Sequence, residues 1–158
     1  MIRVFVYGTL KEGFPNFPIN AGSRVPGDFI TQARFPFYLV GERHSPWMVN
    51  LPGRGARVTG QVFDVTPETL RAMDLLEYVG KPDGYERVEI LVLPAPTGKT
   101  SSDTLDADEL EPQASGPTGL RVFAYLKPGA SLTDAQLMAG PITEYSLEHS
   151  ALYRHRAA

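Results

Sequence analysis

The residue in this sequence that is best placed to take part in acid–base chemistry is Glu77, an acid on the apolar side of a predicted helix. A helix advances about 100° per residue, so Glu77 lies about 20° from Leu70 and inside the stripe formed by Leu70, Met73 and Leu76. A carboxylate there costs roughly several kcal/mol unless it is paired, hydrogen-bonded or protonated. Periodicity leaves three roles open: a buried structural acid, a carboxyl with a raised pKa for general acid–base chemistry, or an acid at the helix end that points to solvent.

A second candidate is the turn Tyr7–Leu10, which follows a predicted strand over Arg3–Val6. Gly8 in this turn permits an unusual backbone angle or the close approach of a ligand. Successive backbone N–H groups in such a turn can bind an anion, including a carboxylate. An ordinary turn that ends a strand would have the same composition, so the residues alone leave both interpretations open.

The elements that must position these residues are short. Thr66, Pro67 and Glu68 predict a helix start, and the helix is expected to run to about Tyr78. Besides the first strand, strands are predicted over Met48–Leu51, Arg57–Val65, Tyr85–Leu93 and Leu120–Leu126, with a short helix from Ser131. The segment Phe29–Val40 is mixed in character and is interrupted by Pro36. Because parallel βα repeats are not visible, we expect an α+β domain with a curved or closed sheet.

Composition limits the function classes. The chain has 158 residues, of which 42% are hydrophobic, and a net charge of −3, which suits one soluble domain and gives no electrostatic reason to expect nucleic acid or membrane partners. It has no cysteine, and its three histidines do not stand at metal-ligand spacing, so we expect no metal, no cofactor and no thiol nucleophile. The N-terminus lacks the pattern of a signal peptide, and a cytoplasmic location is expected.

A single domain is predicted over residues 1–158. Within it, the Pro-, Gly- and acid-rich tract 94–119 is expected to be a flexible connection between two neighbouring strands. The polar tail after Tyr145 is expected either to pack on the domain or to fray.

Several segments together resemble the γ-glutamylcyclotransferase-like (AIG2-like) superfamily, most closely its γ-glutamylaminecyclotransferase branch. They cover most of residues 1–93 and a short piece near residue 125. The matching segments are Val4–Lys11 with Gly13, Pro15 and Asn16, then Pro46–Gly53, Leu70-x-x-Met73-Asp74-x-x-Glu77, Tyr85-x-Arg87 and Phe123–Tyr125.

The resemblance implies a small mixed β-barrel of about six strands flanked by helices. It implies that Glu77 is the catalytic glutamate and that Tyr7, Gly8, Thr9 and Leu10 hold the γ-glutamyl part of a small-molecule substrate. Tyr85 and Tyr125 are expected to orient Glu77 or to line the pocket, with packing in the core as the alternative. Arg87 is left outside the catalytic set.

The implied reaction is chemically suited to this chain. A γ-glutamyl amide carries its own nucleophile, because its α-amino group can attack the γ-carbonyl and close the five-membered ring of 5-oxoproline. No enzyme nucleophile is needed, which agrees with a sequence that has no cysteine. We therefore predict a γ-glutamyl cyclotransferase that acts on γ-glutamylamines or related compounds, with Glu77 as general acid and base.

Three other functions are compatible with the sequence. The first is a non-catalytic domain of the same fold that binds a small acidic ligand. The second is a cyclotransferase that clears γ-glutamyl groups from a biosynthetic intermediate. The third is a structural or partner-binding protein, which an exposed Glu77 without an adjoining pocket would favour. The amine released and the oligomeric state are left open.

Overall fold

The structure, a computed structural model, describes residues 2–96 and 119–154. Over these stretches the strands are β1 Ile2–Val6, β2 Ser23–Arg24, β3 Phe29–Thr31, β4 Phe37–Val40, β5 Ser45–Met48, β6 Thr59–Val65, β7 Glu86–Pro94, β8 Leu120–Leu126 and β9 Leu137–Ala139. The α-helices are α1 Pro67–Leu76 and α2 Leu147–Ser150, and short 3₁₀ helices span Phe17–Ile19 and Gly129–Asp134.

Five strands close into a barrel in the order β1-β8-β7-β3-β6, and β6 pairs with β1 to complete the circle. The β1–β8 pairing is parallel and the other barrel pairings are antiparallel, so the barrel is mixed. The strand β2 extends β6 on one side, and β5, β4 and β9 form a separate small sheet. The prediction of a mixed barrel of about six strands is confirmed as five barrel strands and one added strand.

The first strand is apolar on both faces because it lies between two clusters of buried side chains. Phe5 packs in one cluster with residues from β3, β6, β7 and β8. Val4 and Val6 point the other way and pack in a second cluster with Met73 of α1. All three are 3% exposed or less, so β1 is central to the fold and the position of its C-terminal end is firmly set.

The predicted helix start is confirmed, since the Thr66 hydroxyl accepts a hydrogen bond from the N–H of Thr69 and Pro67 is the first helical residue. Met73 is fully buried and Leu75, on the opposite face, is 73% exposed, as the periodicity indicates. The helix ends at Leu76, slightly before the predicted end. It stops there because Tyr78 takes a left-handed backbone angle with φ of 56°, which cannot continue a helix.

The strand predicted over Met48–Leu51 is placed differently, since β5 ends at Met48. Its four residues pair with β4, and beyond them the N–H of Val49 bonds the carbonyl of Pro36 while Val49 forms a single bridge with Lys127. The chain therefore leaves β4 at this point and crosses towards the end of β8.

The tract between β7 and β8 joins two neighbouring strands, as predicted, and these strands pair antiparallel. Residues 97–118 lie outside the described residues, so the predicted flexibility of this tract stays a prediction. In the tail, Tyr145 is fully buried, α2 begins with a capping box between Ser146 and His149, and the Arg154 N–H bonds the Arg43 carbonyl, so the described part of the tail contacts the domain at both of its ends. Among the described helices, none has the length and apolar character needed to cross a bilayer.

Candidate active site

A pocket of about 280 Å³ lies where the C-terminal end of β1, the start of β5 and the C-terminal end of α1 meet. Every site residue predicted from the sequence lines this one pocket, although they come from four separate parts of the chain. They are Tyr7, Gly8, Thr9, Leu10, Glu77, Tyr85 and Tyr125.

Glu77 is the C-cap residue of α1, and its half-buried side chain faces the pocket instead of the packed core. Its N–H bonds the Met73 carbonyl and its own carbonyl accepts from the N–H of Tyr85, both at 2.9 Å. The chain turns sharply between these bonds, through the left-handed Tyr78 and past Gly84. The backbone of Glu77 is therefore held at both ends, by the helix before it and by the start of β7 after it.

Two tyrosines build the pocket walls through bonds to backbone carbonyls. The Tyr7 hydroxyl donates to the Tyr125 carbonyl at 2.7 Å, and the Tyr85 hydroxyl donates to the Pro46 carbonyl at 2.8 Å. Burial raises the pKa of Tyr7 well above its ordinary value, and the negative charge of Glu77 raises it further. Tyr7 thus stays protonated at neutral pH and remains a hydrogen-bond donor beside the carboxylate.

Tyr125 is fixed by an acid from the helix. Its hydroxyl donates to Asp74 Oδ1 at 2.6 Å, and Arg87 pairs with the other carboxylate oxygen of Asp74. Burial raises the pKa of Tyr125, and the bond to Asp74 adds to this effect. Arg87 therefore forms an ion pair with a structural acid, which agrees with leaving it outside the set of catalytic residues. Its partner lies three residues before Glu77, on the same helix.

Substitution of Asp74 tests how much this arrangement stabilises the fold. Asp74→Asn should lower the free energy of unfolding by about 1–3 kcal/mol, because it removes the charge from two hydrogen bonds at a site that is only 25% exposed. Urea denaturation measures the loss. Glu89→Gln is the matched control, since its ion pair with Arg121 is exposed and worth about 0–1 kcal/mol. Equal losses in the two variants would contradict the role assigned to Asp74.

The turn after β1 lines the pocket with three successive residues, Gly8, Thr9 and Leu10. Among the described residues, the amide N–H groups of Gly8, Thr9 and Leu10 have no protein acceptor. The turn is braced from outside by Asn16, whose N–H bonds the Thr9 carbonyl and whose side-chain amide donates to Thr9 Oγ1, both at 2.8 Å. The three residues that carry these N–H groups line the same pocket as Glu77, and successive N–H groups in a turn are a common anion-binding arrangement.

Position 8 requires glycine because a neighbouring residue lies too close for a side chain. The backbone angle of Gly8 is not left-handed and would accept other residues. A Cβ atom on Gly8 would lie 2.8 Å from Cγ of Pro46. Pro46 also provides the carbonyl that accepts from Tyr85, so the turn and the opposite wall of the pocket are in direct contact.

Gly8→Ala should therefore displace Pro46, lower the unfolding free energy by about 1–3 kcal/mol and reduce kcat/KM at least about tenfold. Thermal melting and steady-state kinetics measure the two effects. Gly27→Ala serves as control, because Gly27 lies outside the pocket and has open space around it but a left-handed angle. It should cost about 1 kcal/mol of stability without loss of activity. Full activity in Gly8→Ala would show that the contact with Pro46 does not set the pocket.

Five further residues with polar side chains line the pocket and were not predicted as site residues: Asn16, Arg43, Ser45, Tyr78 and Tyr153. Asn16 belongs to the segment after the first turn that resembles the family, and this resemblance was the one feature of the sequence that could have indicated a role for it in the site. Tyr78 directly follows Glu77, whereas Arg43 from the loop before β5, Ser45 at the start of β5 and Tyr153 from the tail are brought here only by tertiary packing. The Arg154 N–H bonds the Arg43 carbonyl at 3.0 Å, which seats the tail against the pocket.

Comparison with known proteins identifies the family. The model of the family described as gamma-glutamyl cyclotransferase, AIG2-like, matches residues 4–137. Gamma-glutamylaminecyclotransferase of Rattus norvegicus is 35% identical over 97 residues, which are 58% of this chain and 64% of that protein. Gamma-glutamylaminecyclotransferase of Homo sapiens is 34% identical over 130 residues, 79% of this chain and 78% of that protein.

The fold agrees with these matches. The crystal structure of an AIG2-like protein from Mus musculus superimposes with a TM-score of 0.69 at 26% identity, over 100% of this chain and 97% of that one. The chain spans slightly less than two thirds of the length of the rat relative. Since the family model covers most of the chain and the barrel is shared, the chain belongs to the gamma-glutamyl cyclotransferase, AIG2-like family.

Proposed function

We propose that the chain is a γ-glutamyl cyclotransferase that releases 5-oxoproline and a free amine from a γ-glutamyl compound. The observation that carries the proposal is the placement of Glu77 in the same pocket as the Gly8–Leu10 turn, whose N–H groups have no acceptor among the described residues. A γ-glutamyl group needs both features, an anion site for its α-carboxylate and a proton acceptor for its α-ammonium. The names of the rat and human relatives also support it, because both are gamma-glutamylaminecyclotransferases.

The reaction begins with the α-ammonium of the substrate, which is not a nucleophile until it loses a proton. The Glu77 carboxylate accepts that proton, and the free amine attacks the γ-carbonyl carbon. The ring C–N bond forms, and the C–N bond to the leaving amine then breaks. The α-nitrogen gives up two protons in all and the nitrogen of the leaving amine gains two, so the products are 5-oxoproline and the released amine in its protonated form. Glu77 carries protons between the two nitrogens and is regenerated.

The remaining groups of the pocket position the substrate and stabilise charge. The N–H groups of the Gly8–Leu10 turn bind the α-carboxylate and lie in the wall where an oxyanion would develop on the γ-carbonyl. Tyr7, Tyr85 and Tyr125 give the pocket aromatic walls whose hydroxyls are already bonded to the protein. Holding the α-amine against the carbonyl carbon removes most of the entropy cost of ring closure.

A mass-spectrometric screen tests this function. The purified chain is incubated with a set of γ-glutamyl amines and γ-glutamyl amino acids, with protein-free samples to measure spontaneous cyclisation. At least one compound should yield 5-oxoproline and its amine in equal amounts, at a rate proportional to protein concentration. Tight binding of these compounds with no 5-oxoproline above the protein-free samples would instead favour a non-catalytic binding domain.

A further inference from the structure

A second cavity, of about 460 Å³, adjoins the first and has no part in the chemistry described above. The two cavities share the side chains of Arg43, Ser45 and Tyr85 as a common wall. The far walls of the second cavity come from the loop after β4, from β5, from the loop before β7 and from the segment after β8. A molecule that fills the first pocket therefore has a neighbouring space to enter.

We infer that the second cavity holds the leaving amine, and that Arg43 binds a carboxylate carried by that amine. This inference rests on the proposed function. A γ-glutamyl compound has two halves joined at the amide that breaks, and the glutamyl half must lie in the first pocket, beside Glu77 and the Gly8–Leu10 turn. The leaving half must then extend past the common wall that Arg43, Ser45 and Tyr85 form.

Arg43 has a positive charge and N–H donors beyond those used in its two hydrogen bonds, as a site for an anion requires. Its guanidinium donates to two neutral acceptors, Ser45 Oγ at 2.9 Å and the Arg154 carbonyl at 3.2 Å, and stacks over the Tyr153 ring at 5.8 Å. Within residues 2–96 and 119–154, no carboxylate forms an ion pair with it. A guanidinium has five N–H donors and its charge is permanent, so a half-buried one held by neutral partners favours a carboxylate ligand.

Lys127 adds positive charge to the second cavity and fixes its aromatic walls. It is only 6% exposed, its ammonium donates to the Asp83 carbonyl at 2.7 Å, and it lies 4.4 Å and 4.8 Å from the ring centres of Trp47 and Tyr85. The carboxylates of this cavity belong to Glu42 and Asp83, and both residues are exposed to solvent. Solvent and salt screen exposed charges more strongly than buried ones, so these two carboxylates offset the charge of Lys127 less than buried acids would.

The ligand class that follows is an amine that carries a carboxylate, such as an amino acid joined through its amino group, in preference to a simple alkyl amine. A charge-assisted bond to Arg43 would be lost entirely when the carboxylate is absent. The native chain should therefore use the carboxylate-bearing substrate about ten- to a hundredfold better in kcat/KM.

Two substrates isolate this effect. γ-Glutamyl-alanine and γ-glutamyl-ethylamine differ only in the carboxylate of the leaving group, so the ratio of their kcat/KM values reports its contribution. In the native chain we expect a ratio of about ten or more, measured as 5-oxoproline release. In Arg43→Gln the ratio should fall to within about threefold of one, and Arg43→Lys should keep part of the preference. Arg54→Gln, an exposed arginine outside both cavities, should keep the native ratio.

The outcomes separate the subsite from the proposed function. A native ratio near one would overturn the subsite even if Arg43→Gln failed to fold. An unchanged ratio in a folded Arg43→Gln would also overturn it, as would an equal loss on both substrates, because Arg43 would then act on the glutamyl half or on the fold. Absence of 5-oxoproline from both compounds and from the wider screen would overturn the proposed function itself, and the subsite with it.

Discussion

Glu77→Gln should lower turnover by about 10²- to 10⁴-fold and leave the fold and substrate binding close to native. Glutamine has nearly the same shape and can still accept a hydrogen bond, but it cannot take a proton from the α-ammonium. The backbone bonds that hold position 77 involve only its N–H and carbonyl, so the substitution does not disturb them.

The measurement is 5-oxoproline release under single-turnover conditions, together with calorimetric titration of the substrate to show that binding persists. Glu68→Gln is the matched control, since Glu68 is an exposed acid in the first turn of the same helix and lies outside the pocket. It should keep native turnover. Near-native release of 5-oxoproline by Glu77→Gln would rule out the role proposed for this acid.

Gly84→Ala should have the second large effect, with a loss of about 3 kcal/mol or more in unfolding free energy and about a hundredfold in kcat/KM. A Cβ atom at Gly84 would lie 1.7 Å from the carbonyl oxygen of Tyr78, which is backbone and has no freedom to move aside. Tyr78 directly follows Glu77, so relief of this clash must shift the carboxylate. A misplacement of about 1 Å at a catalytic group is enough for a loss of this size.

Chemical denaturation and steady-state kinetics measure both losses. Gly80→Ala in the same loop is the control, because Gly80 has a left-handed angle with φ of 87° but no atom within 4 Å of the added Cβ. It should lose about 1 kcal/mol. If Gly84→Ala were no less stable than Gly80→Ala, the tight turn after Glu77 would not be what fixes the carboxylate.

The position of Glu77 was largely predictable, because helical periodicity depends only on local sequence. The cap at Thr66, the buried Met73 and the exposed Leu75 all appear as the pattern indicates. Periodicity placed Glu77 inside the apolar stripe but did not show which residues lie opposite it. Because α1 ends at Leu76, the chain turns through Tyr78 and returns to the start of β7, which places Tyr85 in the same pocket as Glu77.

Contacts between distant parts of the chain were not predictable from one sequence. The requirement for Gly8 comes from Pro46, which is 38 positions away, and no local pattern signals that two rigid groups will meet. Arg43 and Tyr153 reach the pocket only because the tail packs back against the loop before β5. The strand predicted at Met48–Leu51 was misplaced for the same reason, since pairing with β4 and not local composition decides where β5 ends.

Ring closure, as opposed to hydrolysis, is tested most directly by product analysis in H₂¹⁸O. A γ-glutamyl compound that the chain turns over is incubated in labelled water, and the products are resolved by mass spectrometry. Self-cyclisation predicts 5-oxoproline with no ¹⁸O above the protein-free sample, an equal amount of free amine, and no glutamate. Glutamate that carries ¹⁸O in its γ-carboxylate would show that water is the nucleophile, and would contradict the proposed reaction.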